Sequence, residues 1–126
     1  MKGYDFHPEA EIDLDTIWEY IAEDNFDAAD RMIDEIEATI ERLVPFPHQG
    51  HRRPDLTLRP LRFTISGNFP IAYAPDKRPL WVVAVFHGRH SPRLVAAILE
   101  RKRVAPAVFQ YSRLRRKLRT KQISRL

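Results

Sequence analysis

The sequence contains no cysteine, so disulfide bridges and thiolate metal sites are excluded and a reducing compartment suits the chain. Long apolar runs are missing too. The longest, Leu80 to Phe86, is far short of the roughly 18 residues of a membrane span, and the opening MKGYDFHPEAE has no apolar signal core. A soluble cytoplasmic protein without a membrane partner is expected. Acidic residues are absent from 101–126, which hold 10 basic ones, whereas 1–44 hold 14 acidic against 3 basic and 45–100 hold 3 acidic against 8 basic. Such one-sided charge points to an anionic partner on the basic side only. No internal repeat is present.

What is there organises around LWVVAVFHGRHSPR, residues 80–93. Seven apolar residues rich in Val and aromatics, bounded by Pro79 and Gly88, read as a strand buried on both faces. The run ends abruptly in histidines and arginines, and polar residues at the exit of a buried strand are held by a rigid base while reaching solvent.

The other elements follow from periodicity. Tyr4 and Phe6 stand at strand spacing before His7-Pro8, where a first-turn proline opens a helix. Ala10, Leu14, Ile17, Trp18 and Ile21 form the stripe of an amphipathic helix over 8–23. Asn25 caps a second helix with a core face of Ala29, Met32, Ile33, Ile36, Ile40 and Leu43, and so short a link makes an antiparallel hairpin. The proline-rich stretch from Pro45 through Pro54-Asp55 is an irregular connector. Leu58 to Ile65, with Pro60 marking an edge or bulge, then Phe69 to Ala74 and Leu80 to Phe86, form a three-strand antiparallel meander turning at Ser66-Gly67-Asn68. Ser91-Pro92 starts a third helix running to about Arg103. The fold class expected is α+β, in the order βααβββα, with the helical hairpin on one face of a small, mostly antiparallel sheet. Residues 1–103 form the domain and 104–126 a basic tail, read as either a helix or a disordered arm.

In that order and spacing, YDFHPEAEIDLDTIWEYIAEDN, AADRMIDEIEATIERL, the P-x-x-G of PHQG, LRPLRF and IAYAPDKRPLWVVAVFHGR resemble the RelE/ParE superfamily of bacterial type II toxin-antitoxin toxins. The resemblance is closer to the ParE-like, plasmid-stabilisation branch and covers residue 4 to about 100. It implies a toxin that inhibits DNA gyrase and is neutralised by a cognate antitoxin, without a cofactor. The ribosome-dependent branch instead cleaves messenger RNA with basic residues and often a tyrosine near the C-terminal end. Arg62 and Arg89 resemble its basic positions, but no tyrosine follows in His90-Ser91-Pro92-Arg93, and the distant Tyr111 inherits no role. A third alternative is a non-toxic binding or regulatory member.

RNA cleavage by its own 2′-hydroxyl needs a base, an acid and cationic stabilisation of the phosphorane. Arg62, His87, Arg89 and His90 are the candidates for these roles; the plainer reading has His87 hydrogen-bonding at a strand end and Arg89 meeting acidic antitoxin side chains. Arg59, Arg62, Arg89 and Arg93 are the candidate target or antitoxin contacts. His48 and His51, like His87 and His90, are three apart, but neither pair sits on a helix with a third ligand, so no metal is assigned. Trp18 and Trp81 read as packing residues. The acidic hairpin exterior is a solvated face, or one that repels nucleic acid. In the tail, Arg113, Arg115, Arg116, Lys117 and Arg119 are candidate phosphate contacts, including operator DNA bound together with the antitoxin.

Overall fold

A computed structural model describes residues 3–101. Its elements are β1 (Tyr4–Phe6), α1 (Pro8–Ala22), α2 (Phe26–Leu43), a 3-10 turn (Pro47–Gln49), β2 (Arg62–Ser66), β3 (Phe69–Ala74), β4 (Leu80–Val85) and α3 (Pro92–Arg101). This is the expected α+β order. The strands align as β1-β4-β3-β2, with β2–β3–β4 antiparallel and β1 parallel to β4. Among the described residues no helix is long and apolar enough to cross a membrane.

α2 and α3 begin at the expected caps Asn25 and Ser91, and α1 begins at the expected Pro8, capped by His7. The His7 Nδ1 accepts the Glu9 N–H at 3.0 Å, the Asn25 Oδ1 that of Ala28 at 3.0 Å, and the Ser91 Oγ that of Leu94 at 3.2 Å, each satisfying an otherwise orphaned first-turn amide. Leu14, Ile36 and Ile40 are fully enclosed with Ile71, Tyr73 and Val82 between the hairpin and the sheet. Burying one such aliphatic side chain contributes roughly 1.5–3 kcal/mol, so this layer supplies most of the local stability. A second cluster fills the opposite face, where Val95 and Leu99 of α3 and Leu56 of the connector meet Phe63, Val83 and Phe86.

The uninterrupted apolar run of β4 has a geometric cause. Val82 pairs with Tyr73 but Ala84 with Ala72, so Val83 is an inserted residue, a one-residue bulge. A bulge breaks the period of two. Val82 and Val85 therefore face the hairpin, while Val83, Ala84 and Phe86 face α3.

β2 starts later than expected. The Leu61 N–H turns back to the Arg59 carbonyl at 2.7 Å, Pro60 has no amide to offer a ladder, and Leu58 is 87% exposed. Only from Arg62 does the chain pair with β3. Trp81 is half-buried, its ring 6.1 Å from that of His7, and packs against the α3-side cluster. Trp18 is buried and donates its indole N–H to Asp30 at 2.7 Å.

Candidate functional site

The loop leaving β4 is fixed on three sides. The Phe86 N–H continues the ladder to the Pro70 carbonyl at 2.7 Å. The His87 ring then stands between the rings of Tyr20 and Phe69, each centroid 5.6 Å away and nearly perpendicular. Its Nδ1 accepts the Arg89 N–H at 3.1 Å, which leaves the proton of the neutral ring on Nε2, and the His90 N–H closes the turn on the His87 carbonyl at 3.0 Å. Gly88 is required by space: a Cβ there would lie 2.6 Å from the Asn68 carbonyl oxygen of the β2–β3 turn. The histidine, glycine and arginine of this segment thus have separate jobs, and together they aim Arg89 at solvent.

Two grooves meet at His90. One, of about 410 Å³, lies on the α3 side of the sheet between Phe63, Ile65, Phe86 and Val95, with His51 and Arg53 at its rim. The other, of about 350 Å³, separates α1 from the end of β4 and is walled by Tyr20, Ile17, His87 and Arg89. Asp13 of α1 anchors the second by accepting the Val85 N–H at 3.0 Å. The His87 and His90 centroids are 6.4 Å apart. A phenol, two imidazoles and a guanidinium therefore converge from α1 and the post-β4 loop, a set able to bind a phosphate or to move protons beside one.

The four candidate arginines separate into two pairs. The Arg59 Nη1 donates to the Leu99 carbonyl of the last turn of α3 at 3.1 Å, and the Arg62 Nη1 to the Gly50 carbonyl at 2.9 Å. Arg89 and Arg93 are exposed, and neither guanidinium makes a hydrogen bond or ion pair with a described residue. Arg62 stands beside a latch in which the Tyr73 hydroxyl donates to the Pro47 carbonyl at 2.8 Å and accepts the Gly50 N–H at 2.9 Å. Burial pushes the Tyr73 phenol above its usual range, opposed by the Gly50 amide and the Arg62 charge. Arg53 holds Asp55 at 2.7 Å, and this hydrogen bond lowers the carboxyl and raises the guanidinium.

The structure thus brings His87, Arg89 and His90 to one groove, places Arg93 in the first turn of α3, and leaves Arg59 and Arg62 elsewhere. His48 reaches Asp76 at 3.0 Å, and His51 pairs through its backbone with Phe63. Arg113, Arg115, Arg116, Lys117, Arg119 and Tyr111 lie outside the described residues. Sequence reasoning missed Tyr20 and Ile65. Tyr20 is 51% exposed on an otherwise amphipathic helix, and an aromatic off the core stripe was the signal that could have found it.

A family model described as ParE toxin of type II toxin-antitoxin system, parDE, matches residues 4–92, from β1 to the start of α3. None of the curated proteins compared with the chain matches it.

Proposed function

We propose, since the chain belongs to the family of ParE toxins of type II toxin-antitoxin systems, that it inhibits DNA gyrase in the cytoplasm, in a plasmid-stabilising module neutralised by a cognate antitoxin. The supporting observation is Arg89, on a loop held by His87 and Gly88, together with Arg93, in the first turn of α3 behind the Ser91 cap, both exposed and with no described acceptor at either guanidinium. Cations positioned but not neutralised serve an anionic surface elsewhere, whether acidic side chains or phosphates on gyrase-bound DNA. In this reading residues 1–103 are the toxin body. The basic residues of 104–126 add phosphate contacts, directly or in an antitoxin complex on operator DNA, with the salt dependence of counterion release.

Plasmid supercoiling by gyrase with ATP is the test. The wild-type protein abolishes supercoiling or traps double-strand breaks, and the double charge reversal Arg89→Glu, Arg93→Glu does neither while remaining folded. Undiminished poisoning by the reversed protein removes this site. Messenger RNA cleavage on the ribosome is the second reading, favoured by the convergence of Tyr20, His87, Arg89 and His90 on one groove. It predicts new message 5′ ends after induction, and unchanged ends eliminate it.

A further inference from the structure

We propose that His87 is a protonation switch for the loop after β4: its neutral imidazole closes the loop by holding the Arg89 amide, and a second proton on the ring releases Arg89. That Arg89 meets an anionic partner rests on the toxin reading above; the switch itself does not.

The switch turns on one lone pair. The His87 Nδ1 accepts the Arg89 N–H at 3.1 Å, and this is the sole hydrogen bond of Arg89 with a described residue. An imidazolium donates from both nitrogens and accepts at neither. A proton and the Arg89 amide therefore compete for Nδ1, and histidine is the side chain whose ordinary titration falls between about pH 5 and 8. The same bond occurs at His7, whose Nδ1 accepts the Glu9 N–H at 3.0 Å, but there the ring is 2% exposed and the amide belongs to the first turn of a helix. At His87 the ring is half-buried beside a groove, and the amide belongs to an exposed loop residue. Protons reach this one.

The surroundings decide which side yields. Tyr20 from α1 and Phe69 from β3 stand nearly perpendicular to the ring, each centroid 5.6 Å away, and aromatic neighbours can hold a cation as well as a neutral ring. Asp13 of α1 lines the same groove and favours the imidazolium, whereas Arg89 and His90 of the ring's own loop oppose it when charged, the His90 centroid lying 6.4 Å away. With the Tyr20 phenol, these are the titratable and charged groups that the groove sets around His87; Phe69 brings none. Asp13 is itself fixed by the Val85 N–H at 3.0 Å, so its carboxylate stays in place as the ring charges. The ring thus has neighbours that retain it in either state. The Arg89 amide has no second acceptor and its guanidinium meets no described one, so on protonation the loop moves and the ring stays.

NMR on the full chain tests this. As pH falls from about 7.5 to about 5, the protection factor of the Arg89 amide is expected to drop at least about tenfold, at the midpoint where the His87 ring itself titrates, while the Leu94 amide held by Ser91 keeps its own. Level protection at Arg89 while the His87 ring titrates overturns the proposal, and so does a His87 ring that stays neutral over the whole range. His87→Asn then separates the ring from its neighbours. The Asn carboxamide oxygen stands where Nδ1 stands, accepts the amide two residues on and takes no proton, so Arg89 in this variant should hold its protection to within about twofold. A loss in His87→Asn as large as in the wild type assigns the effect to Asp13 or His90 and also overturns the switch. Gyrase supercoiling is read separately: a wild-type protein that leaves gyrase untouched refutes the toxin reading, whereas the amide data alone decide the switch.

Discussion

Where β2 and β3 leave the connector, Arg62 donates to the Gly50 carbonyl at 2.9 Å and the Tyr73 hydroxyl joins Pro47 to Gly50. At the opposite end of the sheet, past β4, Arg89 and Arg93 meet no described acceptor. In sequence the two ends look alike, each a short basic segment with a glycine. The difference lies in what surrounds the backbone: one end has a carbonyl to be satisfied within reach of the guanidinium, and the other has its turn closed already by His87. An arginine beside an unsatisfied carbonyl is part of the fold, whereas one beside a completed turn is available to a partner.

Three measurements press on this contrast, beginning with the strongest. Gly50→Ala puts a Cβ against the Tyr73 hydroxyl and 2.8 Å from the Phe63 carbonyl oxygen, so the latch must open. Overpacking of this kind costs about 2–3 kcal/mol, which thermal unfolding resolves as a loss of roughly 10 °C or more in a domain of this size. A variant melting with the wild type would mean that the connector is not held by Tyr73.

Tyr73→Phe keeps the ring and removes the hydroxyl, leaving the Gly50 N–H without its acceptor and the Pro47 carbonyl without its donor. The expected loss is about 2 kcal/mol. It also has a pH signature. Because burial raises the folded-state pKa of Tyr73, above the unfolded value near 10 the unfolded chain releases a proton that the folded chain retains. Stability is therefore intact below that pH and falls as pH rises toward the folded pKa. Tyr73→Phe should show a smaller alkaline loss than the wild type; an equal loss would assign the alkaline sensitivity to other groups.

Most of the fold was legible because its signals are local. The stripe Ala10, Leu14, Ile17, Trp18, Ile21, the helix start at Pro8, the caps at Asn25 and Ser91, and the Ser66-Gly67-Asn68 turn each need only neighbours in sequence. The start of β2 was not, since whether Leu58 to Leu61 pairs depends on the distant edge of β3. The site was legible in part for the same reason. His87, Arg89 and His90 are close in sequence and line one groove, and Arg93 follows in the first turn of α3. Tyr20 joins them only because Asp13 ties α1 to the end of β4, and Arg59 leaves them only because the α3 terminus lies across the connector. The HGR glycine needed the Asn68 carbonyl, a contact that no spacing rule reports.

The smallest effects are the most discriminating. Arg62→Ala removes a hydrogen bond to a buried glycine's carbonyl and should cost about 1 kcal/mol, whereas Arg89→Ala and Arg93→Ala, at exposed positions without described partners, should stay within about 0.5 kcal/mol of the wild type. Chemical denaturation of the three single variants measures this directly. Function should run the other way. At a fixed folded concentration the Arg62 variant keeps its inhibitory activity, because its guanidinium is engaged by the connector, while the Arg89 and Arg93 variants lose theirs. If Arg89→Ala instead destabilises the domain as much as Arg62→Ala, the loop arginine is structural after all and the two ends of the sheet are not different. If Arg62→Ala is as stable as the wild type but inactive, the Gly50 contact is incidental and Arg62 belongs with the exposed pair.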